Sequence, residues 1–278
     1  MKRFSACRAM KFLKAICGVS DYLDPQVFSS SFSDKKLLKI YLENSRKRLA
    51  VFGGLIERFV SKTVIFPFET QFLQDLSPLP LNCLAIKNGR CDKEIWICGH
   101  HDYCAALGAE DNAVALAIMI DLARVFKDEN LNHTLCFASF DLEEKGLLGS
   151  INLSSDFERN KRLQKIDYLI NLDCVSSGKD ILIPRNVQDV YSDKELVALI
   201  DSCAKELGYR FIIQPDCAWS ADHMPFAYKG VKTVQLSSWT NGGNICHSDK
   251  DTVKNVRIEN LKMVGEVLVR AIEELDAR

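Results

Sequence analysis

Short unbroken runs of apolar residues alternate along this chain with longer stretches in which apolar positions recur every three or four residues. Residues 95–98 are a run of the first kind, 134–140 and 168–172 are largely apolar, and 232–236 reads as a further short strand. An unbroken apolar run, rather than an apolar/polar alternation, is expected of a strand covered on both faces. Residues 63–66 and 81–87 also read as strands, with Pro67, Pro78 and Pro80 as punctuation, and 181–183 and 211–213 add two more. Helical spacing predicts a strong helix over 112–126, carrying Ala115, Ile118, Met119, Leu122 and Val125 on one face. Further helices are predicted at 146–153, 194–207 and, as a long closing element, 257–275. In 34–60, Leu37, Leu38, Ile40, Tyr41, Leu49 and Val51 recur near helical spacing. That region reads as one helix or two, with Ser33 as N-cap and Gly53-Gly54 as a break or bend.

Strands and helices in alternation, with short connections, predict an α/β fold: a three-layer α/β/α sandwich around a central mixed, mostly parallel sheet. There is no internal repeat, low-complexity tract or Gly/Ser/Pro-rich linker. One domain over 1–278 is therefore expected, with 1–80 as a helical and extended lead-in and a catalytic core at about 80–275.

Bulk properties narrow the possible partners. The chain has 278 residues, of which 47% are hydrophobic and 26% charged, enough to bury a large core. A net charge of −1 gives no electrostatic case for nucleic acid or an acidic membrane surface. No run of about 18 apolar residues is present, so no membrane span is predicted. The first twenty residues are basic (Lys2, Arg3, Arg8, Lys11, Lys14), and Lys11 and Lys14 interrupt the only stretch that could serve as a secretory signal. An ordinary N-terminal helix is expected there, with a transit-type or surface-seeking helix as the second reading. The eleven cysteines include no Cys-x-x-Cys pair. They read as buried thiols in a reducing compartment, which gives a cytoplasmic expectation.

The chemistry sits just beyond the predicted strands, where open α/β sheets bind ligands. His100 and Asp102 follow 95–98. A metal-bound imidazole needs an acceptor on its other ring nitrogen, so His100 reads as a ligand and Asp102 as its orienter. His101 reads as pointing away, although from the residues alone the two histidines could exchange roles. Asp111 is either a plain N-cap or a carboxylate bridging two metals. Glu143 and Glu144 are adjacent acids, which repel unless cations hold them. One can bind metal while the other stays free as a general base. Gly146, Gly149 and Ser150 let the next helix pack close. Asp173 ends an apolar strand, where a carboxylate is costly unless paired or coordinated. His247 lies beside a Gly- and Asn-rich loop, 241–244, with Asp251 as an acid behind it. His133 reads as a surface residue at a strand start. Taken singly, each segment also fits a polar loop, a cap or a solvated turn. Taken together, Asp111, Glu144, Asp173 and one bridging hydroxide carry −4, which two zinc ions would balance.

These segments resemble metallopeptidase family 28, the di-zinc aminopeptidases, whose relatives include glutamate carboxypeptidases and glutaminyl cyclases. The matching residues are His100-x-Asp102, Gly108-Ala109-x-Asp111-Asn112, Glu143-Glu144-x-Gly146-Leu147-x-Gly149-Ser150, Asn171-x-Asp173, Ser220-x-Asp222-His223-x-Pro225-Phe226 and His247-Ser248-x-x-Asp251-Thr252. The resemblance covers roughly 80–275. It implies two Zn2+ per chain, one held by His100 and Asp173 and the other by Glu144 and His247. Asp111 would bridge them and Glu143 would act as general base. The implied activity is that of an aminopeptidase taking peptides with a free N-terminus. The alternatives are a glutaminyl cyclase-like acyltransferase working with one zinc, a carboxypeptidase, and a non-catalytic relative.

Four sequence details weigh these alternatives. Cyclase relatives tend to carry Ser where this chain has Asn112, and an insertion where Gly146-Leu147-Leu148-Gly149 follows the paired glutamates at once. The five ligand positions and Glu143 are intact, against a non-catalytic relative. A carboxypeptidase needs a basic group beside the metals, and the motif segments offer only Lys145 and Lys250, both expected to face solvent. One departure stands out. Many family members carry a tyrosine, associated with the oxyanion, where this chain has Cys246; Tyr103 and Tyr228 are candidate substitutes.

Overall fold

The computed structural model describes residues 3–23, 34–71, 73–74, 77–104, 106–217, 219–238 and 245–278. The expected cap Ser33 and the loop 241–244 lie outside the described residues. Helix α1 (Ala6–Cys17) starts at Ser5, whose hydroxyl accepts from the Arg8 amide. Its buried Leu13 and Ile16 join the main core, and the Ser5 amide donates to Asp121 at 2.7 Å. Helix α2 (Lys35–Ile56) is capped by the Asp34 carboxylate, which accepts from Leu37 N. It runs unbroken through Gly53 and Gly54, contrary to the expected break. Buried Phe52 and Ile56 anchor its last turn to the core, so packing outweighs the weak helix propensity of two glycines.

The main sheet is built from β1 (Lys62–Pro67), β2 (Leu81–Lys87), β3 (Glu94–His100), β4 (Thr134–Phe140), β5 (Ile166–Leu172) and a last strand, Thr233–Leu236, in the order β1-β2-β4-β3-β5-last. The β1/β2 and β2/β4 pairs are antiparallel, and β4/β3, β3/β5 and β5/last are parallel. Successive residues alternate between the two faces. Ile95, Ile97, Leu135, Phe137 and Ile170 face one core cluster, which also holds α1, α2, α3 (Val114–Phe126) and the closing helix Ile258–Asp276. Trp96, Cys98, Cys136, Ala138 and Phe140 face a second cluster with α4 (Leu148–Arg159). The result is the three-layer α/β/α arrangement. Because both faces of the central strands β3 and β4 are covered, those strands read as largely apolar runs.

A second, three-stranded sheet was not separated out by the apolar pattern. It comprises β6 (Ile181–Val187), β7 (Val190–Tyr191) and β8 (Phe211–Cys217), in the order β7-β6-β8, and touches the main sheet through a bridge between Leu182 and Ser237. Its strands outrun the predicted 181–183 and 211–213 because Pro184-Arg185-Asn186 and Gln214-Pro215-Asp216 end the apolar signal early. Helix α5 (Lys194–Glu206) packs its apolar face into the first cluster, and the single turn α6 (Met224–Ala227) sends Phe226 into the second. With these named, the last strand is β9 and the closing helix α7.

Two helix starts differ from the periodicity. Asp111 and Asn112 have non-helical backbone angles, so α3 begins at Val114 rather than 112. Gly146 (φ +97°) and Leu147 (φ +61°) form the turn that α4 follows, and only glycine adopts the first conformation freely. His133 is not a surface residue. It is buried, with ring nitrogens 3.5 Å from Asp167 and from Asp276, and so fastens the end of α7 to the start of β4. Among the described residues, no helix is long and apolar enough to cross a membrane.

The lead-in reaches the strand ends that carry the motifs. Along α2, the Tyr41 hydroxyl donates to Asp102 at 2.8 Å and the Ser45 hydroxyl to Asp141 at 2.6 Å. Arg48, one turn on, donates to the carbonyls of Leu107 and Gly108 and stacks 3.7 Å over the Tyr103 ring. On the opposite side, a Cβ at Gly149 would collide with the Asp141 carbonyl and Asn82 Oδ1.

Gly149→Ala is expected to cost about 1–3 kcal/mol through overpacking, read as a lower denaturant midpoint. Tyr41→Phe removes a donor to a buried carboxylate. It should cost about 1.5–3 kcal/mol in the same measurement, with little change in secondary structure by circular dichroism.

Candidate active site

Parallel register brings the motif segments together. Strands β4, β3 and β5 lie side by side, with His100 opposite Phe140 and Cys98 opposite Asn171. Their carboxyl ends therefore finish level. His100 closes β3, Glu143 and Glu144 follow β4, and Asp173 follows β5. Asp111 comes in from the turn before α3, and His247 from the loop before α7.

All seven residues singled out from the sequence meet here. His100 Nε2 lies 3.1 Å from Asp111 Oδ1 and 3.9 Å from both Glu143 Oε2 and Asp173 Oδ1. His247 Nε2 lies 3.1 Å from the other Asp111 oxygen and 3.0 Å from Glu144 Oε2. Asp111 thus offers one oxygen to each of two groups, one around His100 and Asp173, the other around Glu144 and His247. Glu143 sits with the first group, and the thiol of Cys104 with the second. His100 Nδ1 faces the Asp102 carboxylate at 3.3 Å and its carbonyl at 3.1 Å. The other Asp102 oxygen accepts from Tyr41 and from the Glu144 amide. His101 turns away, with Nδ1 2.8 Å from the Ser139 hydroxyl.

The turn carrying Asp111 is gripped from several sides. Asp251 accepts from the amides of Glu110 (2.6 Å) and Asp111 (3.1 Å), so it braces this turn. Asn112 donates to the Leu172 carbonyl at 2.8 Å. Buried Glu110 accepts from the amides and hydroxyls of Ser176 and Ser177 and from the Ser238 hydroxyl. Of these braces, Asp251 and Asn112 stood out in the sequence; Glu110 and its serine donors did not.

The electrostatics show a shortage of positive charge. Burial alone would raise Asp111, but His100 and His247 hold it well below the usual carboxylate range. Contact with Asp111 and Glu144 pushes His247 up to about 11. Burial opposes the charged form of His100, yet Glu143, Asp102, Asp111 and Asp173 keep it well above its ordinary value. Burial and the Asp111 charge push Glu144 up to about 7. Burial, reinforced by Glu144 and Asp173, also holds Glu143 well above the usual carboxylate range. Burial also lifts Asp222 to about 7 and depresses His223 to about 3. Without cations, then, protons must neutralise the cluster. His100 Nε2 and Glu144 Oε1 are buried and make no hydrogen bond, although charged partners surround them. Carboxylate oxygens and imidazole nitrogens in two groups sharing one carboxylate fit zinc.

The cluster floors a cleft of about 270 Å³, walled by Trp219, Ser220, Ser237, Cys174 and Cys246. Trp219 went unnoticed although it directly precedes the Ser220-x-Asp222 motif; Ser237 and Cys174 gave no signal. Cys174 and Cys246 are unbridged, like the other cysteines, with sulfurs 3.0 Å apart. Neither candidate tyrosine replaces the missing one. The Tyr103 hydroxyl donates to the Asp21 carbonyl, and Tyr228 is 69% exposed and does not line the cleft. Lys145 is not solvent-facing as expected. It is half-buried, its ammonium 5.2 Å over the Tyr41 ring, and burial lowers its pKa. Lys250 is exposed.

Residues 82–272 match the family model "Peptidase family M28". The chain is 24% identical over 208 residues to aminopeptidase YwaD of Bacillus subtilis (strain 168), covering 69% of this chain and 44% of that protein. It is 31% identical over 147 residues to a probable zinc metalloprotease of Pyrenophora teres f. teres, covering 47% of this chain and 30% of that one. The chain thus spans less than half the length of both relatives. The fold matches a glutaminyl cyclase from an Acidobacteriales bacterium with a TM-score of 0.78 at 18% identity, covering 100% of this chain and 96% of that one. The family match extends over most of the chain and takes in every cluster residue named above: the chain belongs to peptidase family M28.

Proposed function

We propose that the chain is a zinc-dependent aminopeptidase with two metal ions per chain. The observation that carries the reading is the division of the cluster into two groups around the two oxygens of Asp111, with Glu143 beside them. His100 and Asp173 would hold one ion and Glu144 and His247 the other, with Asp111 shared. Zinc bound there would polarise the scissile carbonyl and acidify the attacking water. Glu143 takes the proton of that water as it attacks the carbonyl carbon and delivers it to the departing amine. Asp102 holds the His100 ring, and Tyr41 in turn holds Asp102.

The acidic cleft also sets which end of a peptide enters. A substrate ammonium can pair with carboxylates, whereas a C-terminal carboxylate needs a cation. Among the described residues, neither Lys nor Arg lines the cleft. This favours an aminopeptidase over a carboxypeptidase. The buried thiols support the expectation of a reducing compartment such as the cytoplasm.

A glutaminyl cyclase-like activity is the second reading, favoured by the near-complete mutual coverage with a cyclase fold. Asn112 and the uninterrupted Glu144-Lys145-Gly146-Leu147 segment weigh against it. The two readings separate in one assay with peptide substrates. An aminopeptidase releases the N-terminal residue of a free-amine peptide and leaves its N-acetylated counterpart intact. A cyclase releases ammonia from an N-terminal glutamine without cutting the chain. Equal hydrolysis of the free and acetylated peptides would sink the aminopeptidase reading.

Metal analysis of the zinc-saturated protein should give two ions per chain, and one tight site would point to the cyclase. Glu143→Gln should lower turnover by about 10²–10⁴-fold with zinc content nearly unchanged. Loss of zinc in that variant, with zinc retained in Glu144→Gln, would reverse the roles of the pair.

A further inference from the structure

We propose that Cys174 and Cys246 close into a reversible disulfide that loosens one half of the metal centre, making the site sensitive to oxidation. The two sulfurs come from positions 72 apart in the chain and lie 3.0 Å from each other. That is about 1 Å more than a disulfide bond of about 2.05 Å. Both residues line the cleft, so a small reagent can reach them. Each is also the chain neighbour of a residue assigned to the centre: Cys174 follows Asp173, and Cys246 precedes His247.

The two sides of this pair differ in setting: Cys174 extends a strand, and Cys246 lies in the loop of half-exposed His247. Cys174 continues β5, and its carbonyl accepts from both the amide (2.7 Å) and the hydroxyl (2.8 Å) of Ser238. The Asp173 amide is fixed to the Leu236 carbonyl at 3.1 Å. His247 is half-exposed, and its backbone has a φ of +57°, which a non-glycine residue rarely adopts. Closing the last ångström therefore falls on Cys246 and carries His247 with it. Zinc–ligand distances tolerate only about 0.2 Å. The half-site of Glu144 and His247 should lose its grip while that of His100 and Asp173 stays.

The chemistry is thiol–disulfide exchange with a small organic disulfide as oxidant. One cysteine attacks a reagent sulfur, forming a mixed disulfide and releasing one thiol. The second cysteine attacks the mixed disulfide, forming the Cys174–Cys246 bond and releasing the second thiol. The two cysteine protons end on the two released thiols; the pair is oxidised and the reagent reduced. The effect on metal rests on the two-zinc reading above, whereas formation of the bond does not.

The test incubates the zinc-loaded full-length chain with 2-hydroxyethyl disulfide, blocks remaining thiols and maps peptides by mass spectrometry. The expected result is one linked pair of peptides containing Cys174 and Cys246, lost on dithiothreitol treatment. One of the two zinc ions should then pass to a chelator about 10–100-fold faster than from the reduced protein. Cys174→Ser, compared with its own untreated form, should show no such acceleration. Peptide mapping needs no variant, so a poorly folding substitution does not blunt the test. Both thiols recovered blocked and unlinked would overturn the proposal, and so would a linked pair with unchanged zinc release. The two sulfurs and an Asp111 oxygen also lie within 4.8 Å of one another, so three zinc ions per chain with both thiols shielded would overturn the proposal in favour of a thiolate metal site sharing Asp111. Absence of zinc from the reduced protein would sink the two-zinc reading and the consequence drawn from it, leaving the linked peptide to decide the pair.

Discussion

Five carboxylates crowd around two imidazoles, and most of the local structure serves to hold that crowd in place. Asp102, Asp111, Glu143, Glu144 and Asp173 stand at the carboxyl ends of adjacent strands or on the turn facing them. Like charges so close would drive a flexible chain apart, or would be neutralised by protons, as the raised Glu143 and Glu144 show. The braces around them answer that repulsion. Asp251 grips two amides of the Asp111 turn, Asn112 ties it to β5, and Glu110 is locked among serine donors. Each brace is a hydrogen bond to backbone or to a charge, buried where breaking it leaves an unsatisfied group.

This arrangement explains what could be read from the residues alone. In a sheet covered on both faces, a strand is an unbroken apolar run, and the first polar residues after it mark its carboxyl end. His100, Glu143 and Asp173 each occupy such a position, so ligand chemistry and strand end coincide in one short segment. Asp111 and His247 were legible for a different reason: alone each fits a cap or a polar loop, and only the company of the other segments, in the order that resembles family 28, marks them as ligands. The parallel order β4-β3-β5 then does the assembly, since neighbouring parallel strands finish at the same edge.

What was not legible depends on distant partners. Tyr41, Ser45 and Arg48 read as positions on an amphipathic helix, yet they meet groups about 60 to 100 residues away. Nothing local distinguishes a tyrosine that caps a solvent-facing helix from one that donates to a buried aspartate. His133 looked exposed because its two acids, Asp167 and Asp276, lie elsewhere in the chain. Gly53 and Gly54 looked like a break because propensity is local, while the packing of Phe52 and Ile56 that overrides it is not. The lead-in is therefore part of the apparatus that orients Asp102 and the Asp111 turn, although it carries no motif.

The replacement of a tyrosine by Cys246 shifts the burden of catalysis in the proposed enzyme. Removing one oxyanion donor costs about 10²–10³-fold in rate where it has been measured in other enzymes. A thiol is a weak donor, and here Cys246 lies against Cys174. Of the two candidate substitutes, Tyr103 spends its hydroxyl on the Asp21 carbonyl and Tyr228 is exposed. Among the described residues no tyrosine lines the cleft. Stabilising the developing negative charge then falls chiefly on the cations that the cluster would hold. A site that leans on its metals this heavily gains most from ligands fixed to within tenths of an ångström. That requirement gives a physical reason for so many buried hydrogen bonds converging on one short turn and on the aspartate behind His100.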